Sequence, residues 1–201
     1  MRLVNIEILI YQGFDELDAI GPFEVLAPVH PTLVTLEPAD TITASHGLAM
    51  TPHGVLSARP ELLIVPGGGW AARNEQVGAY AEYLRGAIPT AIAERHARGS
   101  IIASVCTGAM LLARAGILEG RPAVTPHVAL EDLRAAGADV RPDARWVDDG
   151  EILTAGGVTS GIDLALHLLE RLQGTEAAEA AEHLLEHRRL DTAQVGQALP
   201  R

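Results

Sequence analysis

SIIASVCTGAMLLARAGIL, at residues 100–118, has the pattern of a strand followed at once by a helix. Residues 101–105 are a short apolar run whose isoleucines and valine suit a buried strand of a parallel sheet. Helical spacing covers about residues 107–115, and Cys106 lies at the join. A sharp turn there lifts the Cys106 side chain clear of the sheet, and Gly108 relieves crowding behind it. The stretch therefore predicts a cysteine nucleophile elbow.

Cys106 is the one cysteine of the chain. The positive end of the following helix, with its unpaired N–H groups, stabilises a thiolate, which is the reactive form of cysteine. A single cysteine is more often a small buried hydrophobic side chain. The position of Cys106 between strand and helix favours the first interpretation, so we expect a reactive thiol.

The composition predicts one globular domain over residues 1–201, with a short polar tail from about residue 190. Hydrophobic residues make up 48% of the chain, enough for a substantial core. Asn5 and Glu7 interrupt the first apolar run, which therefore does not resemble a secretory signal, and no segment approaches the roughly 20 apolar residues of a membrane span. With a single cysteine, no intrachain disulfide can form. These features predict a cytoplasmic protein with no membrane partner.

The net charge of −11 argues against nucleic acid as a partner, because no basic stripe is present to neutralise phosphates. All 15 basic residues are arginines. The absence of lysine excludes Schiff-base chemistry and a phosphate-loop lysine. The polar tail is too short for a helix-turn-helix module, so a DNA-binding regulator would need a part that this sequence lacks.

Strand patterns alternate with helical patterns along the chain, which predicts a parallel sheet covered on both faces. The fold class that we expect is therefore α/β, a flavodoxin-like doubly wound sheet. The predicted strands are residues 3–11, 33–37, 41–44, 62–65, 101–105 and 123–125, and a hairpin at 146–153. The predicted helices are about residues 77–87, 90–98, 107–115, 128–136, 162–172 and 175–188.

Three carboxylates, Asp15, Glu16 and Asp18, follow the first strand. In doubly wound sheets the carboxyl ends of the strands form the edge at which sites lie. A carboxyl group beside a thiolate has its pKa raised by like charge and burial, so Asp18 or Glu16 could hold a proton at neutral pH and deliver it. The alternative is that these acids are solvated at a helix N-terminus, which we prefer for Asp15. Pro22 is expected at an early position of that helix.

The strand at residues 62–65 leads into a glycine-rich loop that contains Gly67 and Gly68. Glycines let backbone N–H groups approach a ligand closely, which suits an oxyanion hole. The N–H groups of Gly68 and Thr107 could stabilise developing negative charge, an effect worth about 3 kcal/mol per donor in other enzymes. Pro-Gly-Gly is also common in ordinary turns, so this assignment depends on the neighbouring loops.

The eight histidines do not predict a metal site. His183 and His187 stand four residues apart on the last predicted helix, but Leu184 occupies the position where the metalloprotease motif has glutamate. A solvated helix face explains this pair better. His127 follows a predicted strand, and we weigh a role in the site equally against an ordinary hydrogen-bonded loop histidine.

Four motifs resemble the ThiJ/PfpI superfamily of class I glutamine amidotransferase-like proteins, and within it the isonitrile hydratase group. They are LDAIGPFEVL at 17–26, VPGGG at 65–69, SVCTG at 104–108 and GGVTSGID at 156–163. The resemblance covers nearly the whole chain. It implies that Cys106 is the nucleophile, Asp18 its carboxylic acid partner, Thr107 a polar neighbour, and Gly67 and Gly68 the oxyanion-side backbone.

Three positions depart from related groups of that superfamily. Its proteases and amidases usually have histidine directly after the cysteine, where this chain has Thr107, which disfavours peptide hydrolysis. Aldehyde-handling and redox-protective members usually have glutamate in place of Asp18. In hydratase-like relatives a histidine directly follows the threonine that here is Thr125, whereas Pro126 intervenes in this chain and places His127 one residue later.

The resemblance implies hydration of an isocyanide to an N-substituted formamide through a thioimidate on Cys106. It implies a small-molecule substrate, no metal or organic cofactor, and a homodimer. Two other functions stay open: an enzyme of the same superfamily acting on glyoxals or small amides, and a redox-sensing or stress-protective protein whose cysteine is oxidised to sulfenic or sulfinic acid. A buried structural thiol is the simplest alternative.

Overall fold

The sheet of this protein has eight strands, and the helices form two layers around it. The computed structural model describes residues 4–189 and 193–195. The strands are β1 (Ile6–Leu9), β2 (Thr32–Thr35), β3 (Ile42–Thr43), β4 (Ala49–Met50), β5 (Gly54–Val55), β6 (Leu62–Val65), β7 (Ile101–Val105), β8 (Pro122–Ala123), β9 (Asp139–Val140), β10 (Trp146–Asp148), β11 (Ile152–Ala155) and β12 (Ala193–Val195).

The α-helices of the described residues are α1 (Glu16–Val25), α2 (Ala79–Arg85), α3 (Ala87–Ala97), α4 (Gly108–Arg114), α5 (Leu130–Ala135), α6 (Ser160–Gln173) and α7 (Thr175–Leu185). Short 3₁₀ turns cover Ala27–Val29 and His127–Ala129. Helices α1, α6 and α7 pack together in one layer, and α2, α3, α4 and α5 pack together in the other. The predicted α/β architecture with helices on both faces is therefore confirmed.

The strand order is β12-β10-β11-β7-β6-β1-β2-β5, and every pair is parallel except β10 with β11. The four residues of β1, of β6 and of β11 are all buried, as expected for strands covered on both faces. Strand β7 lies in the middle of the sheet between β6 and β11. Its carboxyl end, where Cys106 follows, is therefore flanked by the ends of two other strands.

Two predicted strands lie outside this sheet. Strand β3 pairs with β4 in a separate antiparallel hairpin, and β8 pairs with β9. Both are two-residue strands, too short to span a sheet layer. The predicted hairpin formed by β10 and β11 is present.

Several helix ends differ from the prediction, among them the start of α3, which begins at Ala87 and not at about residue 90. Helix α1 begins at Glu16, so Pro22 lies in its interior and not near its start. Helix α7 ends at Leu185, because Glu186 adopts a left-handed conformation with φ of 50°. Of the polar tail predicted from about residue 190, the structure describes 193–195 as strand β12, and the remainder lies outside the described residues. No helix within the described ranges is long and apolar enough to cross a membrane.

Candidate active site

Cys106 occupies a strained turn between β7 and α4. Its φ is 57°, in the left-handed region that residues other than glycine rarely adopt. The Cys106 N–H donates to the carbonyl of Ala155 at 3.1 Å, and its own carbonyl accepts from Thr125 Oγ1 at 3.2 Å. These bonds hold the turn from both sides. The side chain is nearly buried, with 8% of Cys106 exposed.

The glycine-rich loop after β6 packs directly against this turn. A Cβ on Gly108 would lie 2.1 Å from the carbonyl oxygen of Val65, and one on Gly67 would lie 2.4 Å from the backbone nitrogen of Thr107. The Gly68 N–H donates to Thr107 Oγ1 at 3.0 Å. Only glycine permits this approach of two backbones, which brings the predicted loops together.

Asp18 lies in the first turn of α1 and is fully buried. Its Oδ2 accepts from the Gly67 N–H at 2.9 Å. Its Oδ1 is buried and has no hydrogen-bond partner among the described residues. Burial, and after it the charge of Asp15, raises the pKa of Asp18 to about 8, although the Gly67 N–H and the Cys106 thiol act in the opposite direction. Asp18 therefore holds a proton at neutral pH.

The pKa of the Cys106 thiol is raised, which differs from the thiolate expected at a helix N-terminus. Burial is the largest cause and the charge of Asp18 the next, and together they outweigh the hydrogen bond from the Thr107 N–H. Helix α4 has only seven residues, so its dipole has a small effect beside that of burial. The thiol and the Asp18 carboxyl thus act as a coupled acidic pair.

The two glycine N–H groups are already bonded within the protein. Gly67 donates to Asp18 and Gly68 donates to Thr107, so neither N–H is free for an oxyanion in this conformation. Of the predicted backbone donors, the Thr107 N–H is the one that contacts the Cys106 sulfur. Gly67 and Gly68 therefore fix the acid and the polar neighbour of the cysteine.

Tyr11 supports the glycine-rich loop, a role that the sequence patterns did not indicate. Its hydroxyl donates to the Pro66 carbonyl at 2.7 Å, with a second carbonyl, that of Gly67, at 3.2 Å. Burial, followed by the charge of Asp18, raises the pKa of Tyr11. A tyrosine two residues beyond β1, at the same sheet edge as the carboxylates, was the available signal. Thr125, which holds the Cys106 carbonyl, was missed because it follows a two-residue strand.

Glu16 points to a hairpin loop and not to the thiol. Its carboxylate accepts from the His46 N–H at 2.7 Å and from Ser45 Oγ at 3.0 Å, and its Oε2 lies 2.6 Å from His46 Nδ1. Burial alone would raise the pKa of Glu16, but the hydrogen bonds from His46 and Ser45 lower it to about 2. Asp15 caps α1 by accepting from the Leu17 N–H at 3.2 Å, which agrees with the helix N-terminal role preferred for it.

The structure gives different outcomes for the two histidine predictions, since the role of His127 stays open and the shared helix face of His183 and His187 is wrong. His127 is exposed at the start of a 3₁₀ turn and lines a cavity of about 500 Å³. His187 lies beyond the end of α7, so it does not share a solvated helix face with His183. Its Nε2 lies 2.7 Å from Oδ1 of Asp163, a fully buried carboxylate of α6.

Comparison with known proteins matches the DJ-1/PfpI family to residues 4–171. Isonitrile hydratase of Pseudomonas putida is 31% identical over 188 residues, covering 92% of this chain and 78% of the relative. The Parkinson disease protein 7 homolog of Danio rerio is 26% identical over 180 residues, covering 85% of this chain and 90% of the relative. A crystal structure of a ThiJ/PfpI family protein from Pseudomonas syringae superimposes with a TM-score of 0.78 at 27% identity, covering 94% of this chain and 77% of that one.

Proposed function

The chain belongs to the DJ-1/PfpI family, and from this premise we propose that it is an enzyme that hydrates isocyanides to N-substituted formamides. The observation that carries the proposal is the buried pair of Cys106 and Asp18. A carboxyl group whose pKa is about 8, with one buried oxygen unpartnered among the described residues, is a suitable proton donor next to a nucleophilic sulfur. Similarity to isonitrile hydratase supports the choice of substrate.

The first step adds the thiol across the terminal carbon of the isocyanide. In the form of the pair that shares one proton, with that proton on Asp18, the Cys106 thiolate forms a bond to that carbon as Asp18 donates its proton to the same carbon. The product is a thioimidate, R–N=CH–S–Cys106, with no proton gained or lost overall. The Thr107 N–H, hydrogen-bonded to the sulfur, stabilises the thiolate as it forms.

The second step consumes one water. Asp18, now ionised, takes a proton from water as the water oxygen attacks the thioimidate carbon, and it passes this proton to the nitrogen. The resulting tetrahedral intermediate expels the Cys106 thiolate as its hydroxyl proton passes to Asp18, which leaves the formamide R–NH–CHO and restores the starting pair. Every step is carried by residues of this chain. The Gly67 N–H keeps Asp18 in place through both steps, and Tyr11 holds the loop that carries Gly67.

The test is formamide production from a simple aryl isocyanide by the purified protein, followed by chromatography. We expect turnover in the unmodified protein and none above background in Cys106→Ala. A Ser104→Ala variant is a suitable control, since Ser104 is buried on β7 two residues from the cysteine and its hydroxyl has no partner among the described residues. No turnover by the unmodified protein would refute the proposal.

A second candidate is an oxidation-sensing or aldehyde-directed protein that uses the same cysteine. The similarity to the Parkinson disease protein 7 homolog favours it, as does the buried acid beside the thiol, which could donate to a sulfinic acid oxygen. Mass gain on Cys106 under mild peroxide, or consumption of methylglyoxal, together with no isocyanide turnover, would support this candidate instead.

We also propose that the protein is a cytoplasmic homodimer of one-domain subunits. An apolar cavity of about 280 Å³ between α1 and α6, lined in part by Ile20, Val25 and Ile162, supplies a face for a second copy. We expect light scattering to give twice the chain mass of 21.2 kDa, and Ile20→Glu to give the monomer. Leu184→Glu, at a position 79% exposed and outside the cavity, should stay dimeric. A monomeric unmodified protein would contradict the proposal.

A further inference from the structure

The cavity of about 500 Å³ lies beside the cysteine turn. Its lining includes Thr125, whose hydroxyl binds the Cys106 carbonyl, and Gly156, which follows the residue that accepts the Cys106 N–H. Cys106 is not itself a lining residue, but the cavity wall lies next to both of the residues that hold its backbone. A Cβ atom on Gly157, which is also a lining residue, would meet no other atom within 4 Å. The mechanism above uses none of this volume.

Among the residues that the structure describes, Arg145 is the one arginine of the cavity lining, and its guanidinium is held in a fixed orientation. Its Nε donates to Oδ2 of Asp163, and its Nη2 donates to Thr159 Oγ1 at 3.1 Å. Asp163 is fully buried and its other oxygen is bonded to His187. The Arg145 side chain is 20% exposed. Because Asp163 is itself buried and bonded, it orders the Arg145 side chain before any ligand binds.

Two of the five N–H groups of Arg145 are used in these bonds. The other three have no acceptor among the residues that the structure describes. An arginine oriented through Nε and one Nη nitrogen presents its remaining donors to a planar acceptor, and a carboxylate has the matching geometry. A single guanidinium in the lining suits a singly charged carboxylate better than a phosphate, which favours several cationic groups. Asp143 and His127, the other charged or titratable lining residues, are exposed at the rim.

We propose that this cavity is a carboxylate subsite, in which Arg145 binds the carboxylate of a substrate whose reactive carbon lies at Cys106. Resting on the proposed function, this assigns the substrate class as short isocyanides that bear a carboxylate. Asp163 and Thr159 are positioning residues for Arg145. The subsite accounts for an ion pair placed at the cavity wall with guanidinium donors left unused.

The first experiment uses the unmodified protein with pairs of ω-isocyanoalkanoates and their methyl esters, which differ only in charge. A charge-assisted hydrogen bond predicts a KM lower by about 10- to 100-fold for the acid at the chain length that spans the cavity. Arg145→Lys keeps a cation beside Asp163 but loses the planar guanidinium. The ratio of the ester KM to the acid KM should therefore fall towards one. Arg141→Lys, four residues earlier and outside the lining, should keep the ratio. Equal KM values for acid and ester at every length would overturn the subsite.

A binding measurement separates the subsite from the reaction. Calorimetry with N-formylglycine, the formamide of the shortest such acid, and with its methyl ester needs no turnover. We expect the acid to bind more tightly than the ester, and Arg145→Lys to remove the difference. If the acid binds more tightly through Arg145 but no isocyanide is turned over, the subsite is retained and the proposed hydratase function is refuted. Turnover with no difference between N-formylglycine and its ester would refute the subsite alone.

Discussion

The charge of Asp18 raises the pKa of Cys106, whereas the Cys106 thiol lowers that of Asp18, and this coupling gives opposite expectations for two reactions of one variant. In Asp18→Asn the negative charge that raises the pKa of Cys106 is gone, so we expect iodoacetamide to alkylate the thiol faster at pH 8. Hydration should fall by about 10²- to 10⁴-fold, because the proton donor is lost. Mass spectrometry and formamide assays on one preparation measure both.

Glu24→Gln is the control for this variant, since Glu24 is an exposed acid on the same helix. It should alter neither rate. Slower alkylation of Asp18→Asn would show that the carboxyl group does not oppose the thiolate. Hydration retained in that variant would remove Asp18 from the mechanism, leaving His127 and Glu16 as the remaining predicted acids.

The pKa of Asp18 also sets the pH dependence of the reaction. Well below pH 8 both the carboxyl group and the thiol are protonated, and no thiolate forms. Removal of one proton leaves a pair that shares the other, which is the state that step one requires. We therefore expect kcat/KM to rise about tenfold per pH unit up to about pH 8 and then to level off. A profile that is flat from pH 6 to 8 would contradict this assignment.

The candidate site residues could be found from the sequence because each follows a strand. Asp18, Gly67 and Cys106 lie beyond β1, β6 and β7, and parallel strands bring their carboxyl ends to one edge. What the sequence could not give is the direction of each hydrogen bond. The Gly68 N–H is turned to Thr107, and Glu16 is turned to His46, because of local backbone geometry that no residue pattern encodes.

At the scale of elements, the central strands β6 and β7 were predicted well, whereas β1 was predicted too long and the two-residue strands were predicted poorly. Strands β6 and β7 have the predicted bounds, since continuous apolar runs must be covered on both faces. Strands β3 and β8 have two residues each, and their pairing depends on partners that are themselves two residues long. Helix α1 contains Pro22 in its interior, so the expectation that this proline lies near the start of the helix was wrong.

Gly108 tests the contact between α4 and the glycine-rich loop. Alanine at a helical glycine normally stabilises by about 1 kcal/mol, but here its Cβ would meet the Val65 carbonyl oxygen at 2.1 Å. We expect Gly108→Ala to lower the stability by at least about 2 kcal/mol, and the melting temperature by about 4 to 8 °C. Gly54→Ala, where no atom lies within 4 Å, should change it little. Similar melting temperatures for the two variants would contradict the packing described.

Burial of Asp18 lowers the stability of the whole molecule at neutral pH. The direction of this pH dependence follows from the pKa values of Asp18 in the unfolded and folded states. In the unfolded chain Asp18 loses its proton near pH 3.8, whereas in the folded protein it keeps the proton until about pH 8. The folded state therefore binds more protons across this window, and its stability falls as the pH rises from about 4 to 8. An asparagine side chain has no such proton to lose, so Asp18→Asn is free of this loss of stability.

We therefore expect Asp18→Asn to melt at a higher temperature than the unmodified protein at pH 7.5, with the gap narrowing towards pH 4.5. Each pH unit in this window changes the gap by up to about 1.4 kcal/mol, which corresponds to about 2 to 4 °C. Calorimetry of both proteins across the window measures the gap, and the other titrating groups cancel in the difference. A gap that is constant, or that widens towards acid, would mean that Asp18 is ionised in the folded protein. The acid of the proposed reaction would then be absent at neutral pH, so this measurement of stability also tests the mechanism.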